Sequence, residues 1–113
     1  MAKDGWHIIE EAGGVTLARR LPARFDVSST AHFPAVQPLP LASQIRQDLW
    51  RMLQSLRGFS PVVQVVPDGE GLRVEAGGQV HGVIPPATSN RIAALLSSVH
   101  HRDRWVWYAR ERG

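Results

Sequence analysis

The chain has no cysteine, a single lysine (Lys3) and no long apolar run. Without thiols, disulfides, thiolate metal sites and thiol nucleophiles are all excluded, which fits a reducing compartment. No stretch approaches the roughly eighteen apolar residues that a membrane span needs. The segment Met1–His7 lacks the charged region and apolar stretch of a secretion signal. A cytoplasmic protein without a membrane partner is therefore expected.

Catalytic signatures are missing as well. There is no G-x-S-x-G elbow and no S-x-x-K pair. Gly69, Gly71, Gly77, Gly78 and Gly82 match neither phosphate-loop spacing, so they read as turns. The histidines at 7, 32, 81, 100 and 101 contain no i, i+4 pair of the kind that holds zinc on a helix. His101 with Asp103 lacks a nucleophile, and Glu10–Glu11 beside a turn are most simply solvated. No catalytic residue, metal or cofactor is assigned, and an enzyme is the less favoured reading.

What is present suits one globular domain. At 113 residues and 43% hydrophobic content, the chain can bury a core without crosslinks. The net charge of +3 comes almost wholly from arginine. Plentiful Ala, Gly and Pro accompany that excess, as GC-rich coding produces, and this is preferred to selection for bidentate donors.

Patterning gives an order β-β-β-α-β-β-(β)-α and then a final element. Trp6–Glu10 and Val15–Arg19 flank Ala12-Gly13-Gly14 as a hairpin. Arg24–Ser28 alternates as a third strand. Phe33–Pro40, with three prolines, reads as a buried loop leading into a helix. Ile45, Leu49, Met52, Leu53 and Leu56 give one apolar face to a helix over Leu41–Arg57, closed by Gly58. Ser60–Pro67 and Leu72–Ala76 form a hairpin that Gly77-Gly78 breaks, and Gln79–Ile84 is a further short strand. A second helix, capped by Thr88 or Ser89, carries Ile92, Leu95, Leu96 and Val99 on one face and stops near Val99.

The predicted architecture is α+β: a two-layer sandwich, with an antiparallel sheet and two main helices on one face. It completes a ferredoxin-like arrangement only if the tail is a strand.

The tail, His100–Gly113, is the most distinctive stretch. A helix running on from the second one would place Asp103 and Arg110 on its apolar stripe, so the tail is a separate element. As a strand it aligns Trp105, Trp107 and Ala109; as a helix it aligns Trp105, Tyr108, Ala109 and Arg112. The run Trp-Val-Trp-Tyr tips the balance slightly to the strand.

Arg, Trp and Tyr dominate interface hot spots and stack on bases. Arg102, Arg104, Trp105, Trp107, Tyr108 and Arg110 are thus the first candidate binding surface, and Arg46, Trp50 and Arg57, along one edge of the first helix, are the second. The favoured function is a non-enzymatic interaction or assembly module, with a protein partner or a second copy in a homodimer. A nucleic-acid binder using the tail stands next, and a small enzyme or ligand-binding protein third. The low net charge, scarce lysine and absence of RNP-like or GXXG signatures count against nucleic acid.

Overall fold

In the computed structural model of the chain, residues 2–3 and 5–111 are described, with side chains from residue 5 to residue 110. Two strands open the chain, β1 (Ala2–Lys3) and β2 (Trp6–Glu11), followed by β3 (Gly14–Ala18) and β4 (Val27–Pro34). Helix α1 (Pro38–Leu53), strands β5 (Ser60–Asp68) and β6 (Gly71–Gln79), and helices α2 (Thr88–Ser97) and α3 (Val99–Glu111) complete it.

The strands form one sheet in the order β1-β2-β3-β5-β6-β4, antiparallel throughout. The architecture is the α+β arrangement that patterning predicts, with three helices packed against the sheet.

Side-chain alternation sets which face is covered. The pairs Val15↔Val65, Leu17↔Val63, Val65↔Val74 and Leu72↔Phe33 put these residues on one face. All join the core with Leu41, Ile45, Leu49 and Leu53 of α1, Ile92 and Leu96 of α2, and Trp105 and Ala109 of α3. The opposite face carries the cross-strand row Thr16↔Gln64↔Glu75↔Thr30, in which Gln64 Nε2 donates to Thr16 Oγ1 at 3.2 Å. The chain must cross β5 and β6 to pass from β3 to β4. The crossing is held by Asp26 N–H to the Gly78 carbonyl (2.9 Å) and Val80 N–H to Asp26 Oδ2 (2.9 Å).

Several boundaries differ from the sequence expectation, each for a local reason. The third strand is Val27–Pro34, not Arg24–Ser28: it lies at the sheet edge, where a terminal proline costs no ladder bond. Helix α1 begins at Pro38, because prolines 38 and 40 sit in a first turn whose N–H groups lack helical acceptors anyway. It ends at Leu53, and single turns carry the chain to Gly58 at φ 66°. Gly77-Gly78 does not break β6. A side chain at Gly77 would run into the Val27 carbonyl, and one at Gly78 into that of Ser60, so glycine lets both neighbouring strands close on β6. Gln79 is the last residue of β6, and no separate strand over 79–84 forms.

The tail is the largest correction. It is helix α3, not a strand, with Trp105 and Ala109 fully buried and Trp107 59% exposed. The ferredoxin-like fourth strand is therefore absent, although β4-α1-β5-β6 has the matching β-α-β-β order. Ser98 separates the last two helices. Its backbone is extended (ψ 116°), and its Oγ accepts the His101 N–H at 3.4 Å and lies 2.7 Å from His101 Nδ1. A serine cap of this kind starts a new helix while the previous one stops. Among the described residues, no helix is long and apolar enough to cross a membrane.

Candidate functional site

Helix α1 lays Leu41, Ile45, Leu49 and Leu53 into the core. Arg46 and Trp50 each follow one of those residues, so they stand about 100° round the helix, at the rim of the buried stripe. The rim meets the ends of β2, β3 and β5. Trp6 opens β2 on the helix side of the sheet, Arg19 and Arg20 follow β3, and Phe59–Pro61 enter β5. These residues line a cleft of about 330 Å³. They come from four separate stretches of chain, and none is acidic.

Within the cleft, cations and rings alternate. The Arg46 and Arg19 guanidinium carbons lie 4.7 and 5.4 Å from the Trp6 ring centroid, a cation–π geometry. Trp50 stacks parallel to the buried Phe59, with ring centroids 6.2 Å apart and planes 8° from parallel, and stays 40% exposed. Among the described residues, Arg19, Arg20 and Arg46 take part in no salt bridge. Among the described residues, the buried polar atoms Arg46 Nε and Ser60 Oγ have no hydrogen-bond partner. Burial, and then the neighbouring charge of Arg19, pushes the Arg46 guanidinium below its ordinary pKa. The cleft therefore concentrates positive charge beside aromatic faces, with no carboxylate among its described lining residues.

The structure divides the nine residues singled out from sequence. Arg46 and Trp50 enter the cleft. Arg57 lies beyond the end of α1, outside the cleft lining, and its carbonyl accepts the His81 N–H at 3.0 Å. In the tail, Trp105 is a core residue whose indole N–H donates to Asp48 Oδ2 at 2.7 Å. Arg104 also pairs with Asp48, joined by Arg51 at 3.3 Å. Arg102 lies 4.0 Å over the Phe33 ring and donates to the carbonyls of Leu96 (3.0 Å) and His32 (2.6 Å), tying the α2–α3 corner to strand β4. Tyr108 is half-buried. Trp107 and Arg110 are exposed and line a separate concavity of about 400 Å³ with Pro34, Arg102, Asp103 and Val106.

Trp6, Arg19, Arg20, Phe59, Ser60 and Pro61 were not identified from sequence. Nothing local in the sequence joins Arg19 and Arg20 to Trp6 or to α1.

A larger concavity of about 610 Å³ lies between the β2–β3 turn and the start of α1. It carries Glu10 and Glu11 but no aromatic ring or cation. No group of three His, Cys, Asp or Glu able to hold a metal occurs among the described residues. No family model matches the chain, and no match was found among curated proteins or solved structures.

Proposed function

We propose that this protein is a non-enzymatic binding module whose working surface is the arginine–tryptophan cleft between α1 and the ends of β2, β3 and β5. The observation that carries the reading is that Arg19, Arg20 and Arg46 share one cleft with Trp6 and Trp50, with Arg19 and Arg46 on the Trp6 ring and no acid among the described lining residues. Arginines that serve structure in this protein have acceptors: Arg104 has Asp48, and Arg102 has two carbonyls. Arg19 and Arg46 have the Trp6 ring face instead, and Arg20 has no salt bridge among the described residues, which leaves their donors for a ligand. The lining also holds no histidine or carboxylate that could act as a base toward Ser60, so recognition fits it better than catalysis.

The second reading, a protein partner or a second copy meeting α3, is favoured by one observation. Trp107 is 59% exposed beside Arg110 and Pro34, and exposed Trp and Arg are common interface anchors. One experiment separates the two. Indole N–H signals of the labelled protein are followed during titration with a panel of organic anions, organic cations and neutral aromatics, and during serial dilution. Shifts at Trp6 and Trp50 with the anions alone are expected. Shifts confined to Trp107 on dilution would move the working surface to α3, and an unmoved Trp6 and Trp50 throughout would reject the cleft.

A further inference from the structure

We infer that the cleft takes a nucleoside 5′-monophosphate unit, its base against Trp50 and its phosphate among Arg19, Arg20 and Arg46. The inference rests on the reading of the cleft as the working surface and adds the chemistry of what fills it.

Three features of the lining specify that chemistry together. First, the charge to be met is multiple. Three guanidiniums border the cleft without a lining carboxylate, and two of them share one indole ring. A phosphate monoester carries between one and two negative charges near neutral pH and offers three acceptor oxygens, which suits planar bidentate donors better than a single carboxylate does. Burial and the neighbouring charge of Arg19 disfavour the charged form of Arg46, and the attraction of a bound anion opposes both.

Second, the aromatic surface is a platform. Trp50 lies parallel to Phe59 and retains 40% of its surface in solvent, so a planar ring extends an existing stack. Third, the size is limiting. At about 330 Å³ the cleft is at the small end of ligand pockets, enough for one nucleotide unit. Ser60 Oγ and Arg46 Nε, on two of the lining residues, are buried without a partner among the described residues, so a rotation of either side chain toward a ribose or phosphate oxygen breaks no existing hydrogen bond of that atom.

The same monoester unit can arrive as a free mononucleotide or as the 5′-phosphorylated end of a single strand, and the test distinguishes the two. Titrations follow tryptophan fluorescence, with indole N–H shifts to locate binding, at about 50 and 200 mM salt. The probes are adenosine 5′-monophosphate, adenosine, inorganic phosphate and a single-stranded oligoadenylate hexamer bearing a 5′-phosphate. The monophosphate is expected to bind at least tenfold more tightly than either adenosine or inorganic phosphate, to weaken with salt, and to shift Trp6 and Trp50. Arg46→Met and Trp50→Ala should each weaken it at least tenfold, while Trp107→Ala leaves it unchanged. Thermal melts of each variant confirm that the fold is retained.

A hexamer at least tenfold tighter than the monophosphate identifies a strand as the source; an equal or weaker hexamer identifies the free nucleotide. Adenosine binding as well as its monophosphate would overturn the inference. So would a cleft that responds to other organic anions but to no nucleotide, while leaving the cleft as the working surface. A cleft silent toward every probe and toward the anion panel would bring down both.

Discussion

One carboxylate fixes how the last helix meets the first. Asp48 sits on the buried side of α1, 8% exposed, and accepts from Trp105 Nε1, Arg104 and Arg51. The arginines are 44% and 67% exposed, so solvent screens their pairing and they contribute little. The indole bond is different, because both partners are buried, and a hydrogen bond to a charged acceptor is worth about 1.5–3 kcal/mol. Asp48→Ala removes that bond and leaves the indole N–H unsatisfied, so it should cost about 2–4 kcal/mol in urea unfolding with little change in slope. A loss below about 1 kcal/mol would mean that ring burial alone holds α3 in place. None of this was legible beforehand. Asp48 is an ordinary polar position on an amphipathic helix, and the donors from α3, Arg104 and Trp105, lie more than fifty residues away in sequence. The same distance explains why Trp105 and Arg104 read as a contact surface: their partner could not be seen.

At the scale of elements, legibility followed how local the cause was. The two hairpins were readable because their turns need positive φ within two or three residues, as at Ala12 (50°), Gly13 (80°) and Gly69 (61°). The apolar stripe of α1 was readable in Ile45, Leu49 and Leu53, which the helix buries, while Met52 is half-buried and Leu56 lies beyond the helix end. The tail was misread because Trp-Val-Trp-Tyr favours a strand by intrinsic preference, whereas helix α3 buries Trp105 and Ala109 together and turns Trp107 outward. A local sign was nevertheless present in Ser98, whose side chain caps α3. Ser98→Ala should lower stability by about 1 kcal/mol. The amide of His101 should then exchange faster than amides in α1. Unchanged stability and unchanged exchange at His101 would show that the α2–α3 break is set by packing and not by the cap.

At the scale of the whole molecule, the cleft exists only because the sheet order brings distant segments together. The β2–β3 hairpin delivers Trp6, Arg19 and Arg20 to one side of α1, and the adjacent β5 delivers Phe59 and Ser60. Sequence reasoning found Arg46 and Trp50 because they share one helix edge, and missed the rest because strand order is not encoded in any window. It also joined Arg57 to that edge by extending α1 beyond Leu53, its observed end.

This assembly has an energetic consequence that separates function from stability. With guanidinium carbons 4.7 and 5.4 Å from one centroid, Arg46 and Arg19 lie at most about 10 Å apart. Their repulsion at that range is of order 1 kcal/mol, comparable to what one cation–π contact returns. Because the folded-state pKa of Arg46 is depressed, its charge opposes folding at every pH below its titration, and neutralising it removes that opposition. Arg46→Met keeps the stem over Trp6 while deleting the charge. Its thermal midpoint should equal or exceed that of the parent protein at pH 7, with the difference in favour of the variant shrinking as salt rises from about 50 to 500 mM and screens the pair. A clear drop in midpoint would instead assign Arg46 a structural role like that of Arg104. A midpoint held or raised, together with loss of anion binding, is the pattern of a residue whose charge is retained for a ligand at some expense to the fold.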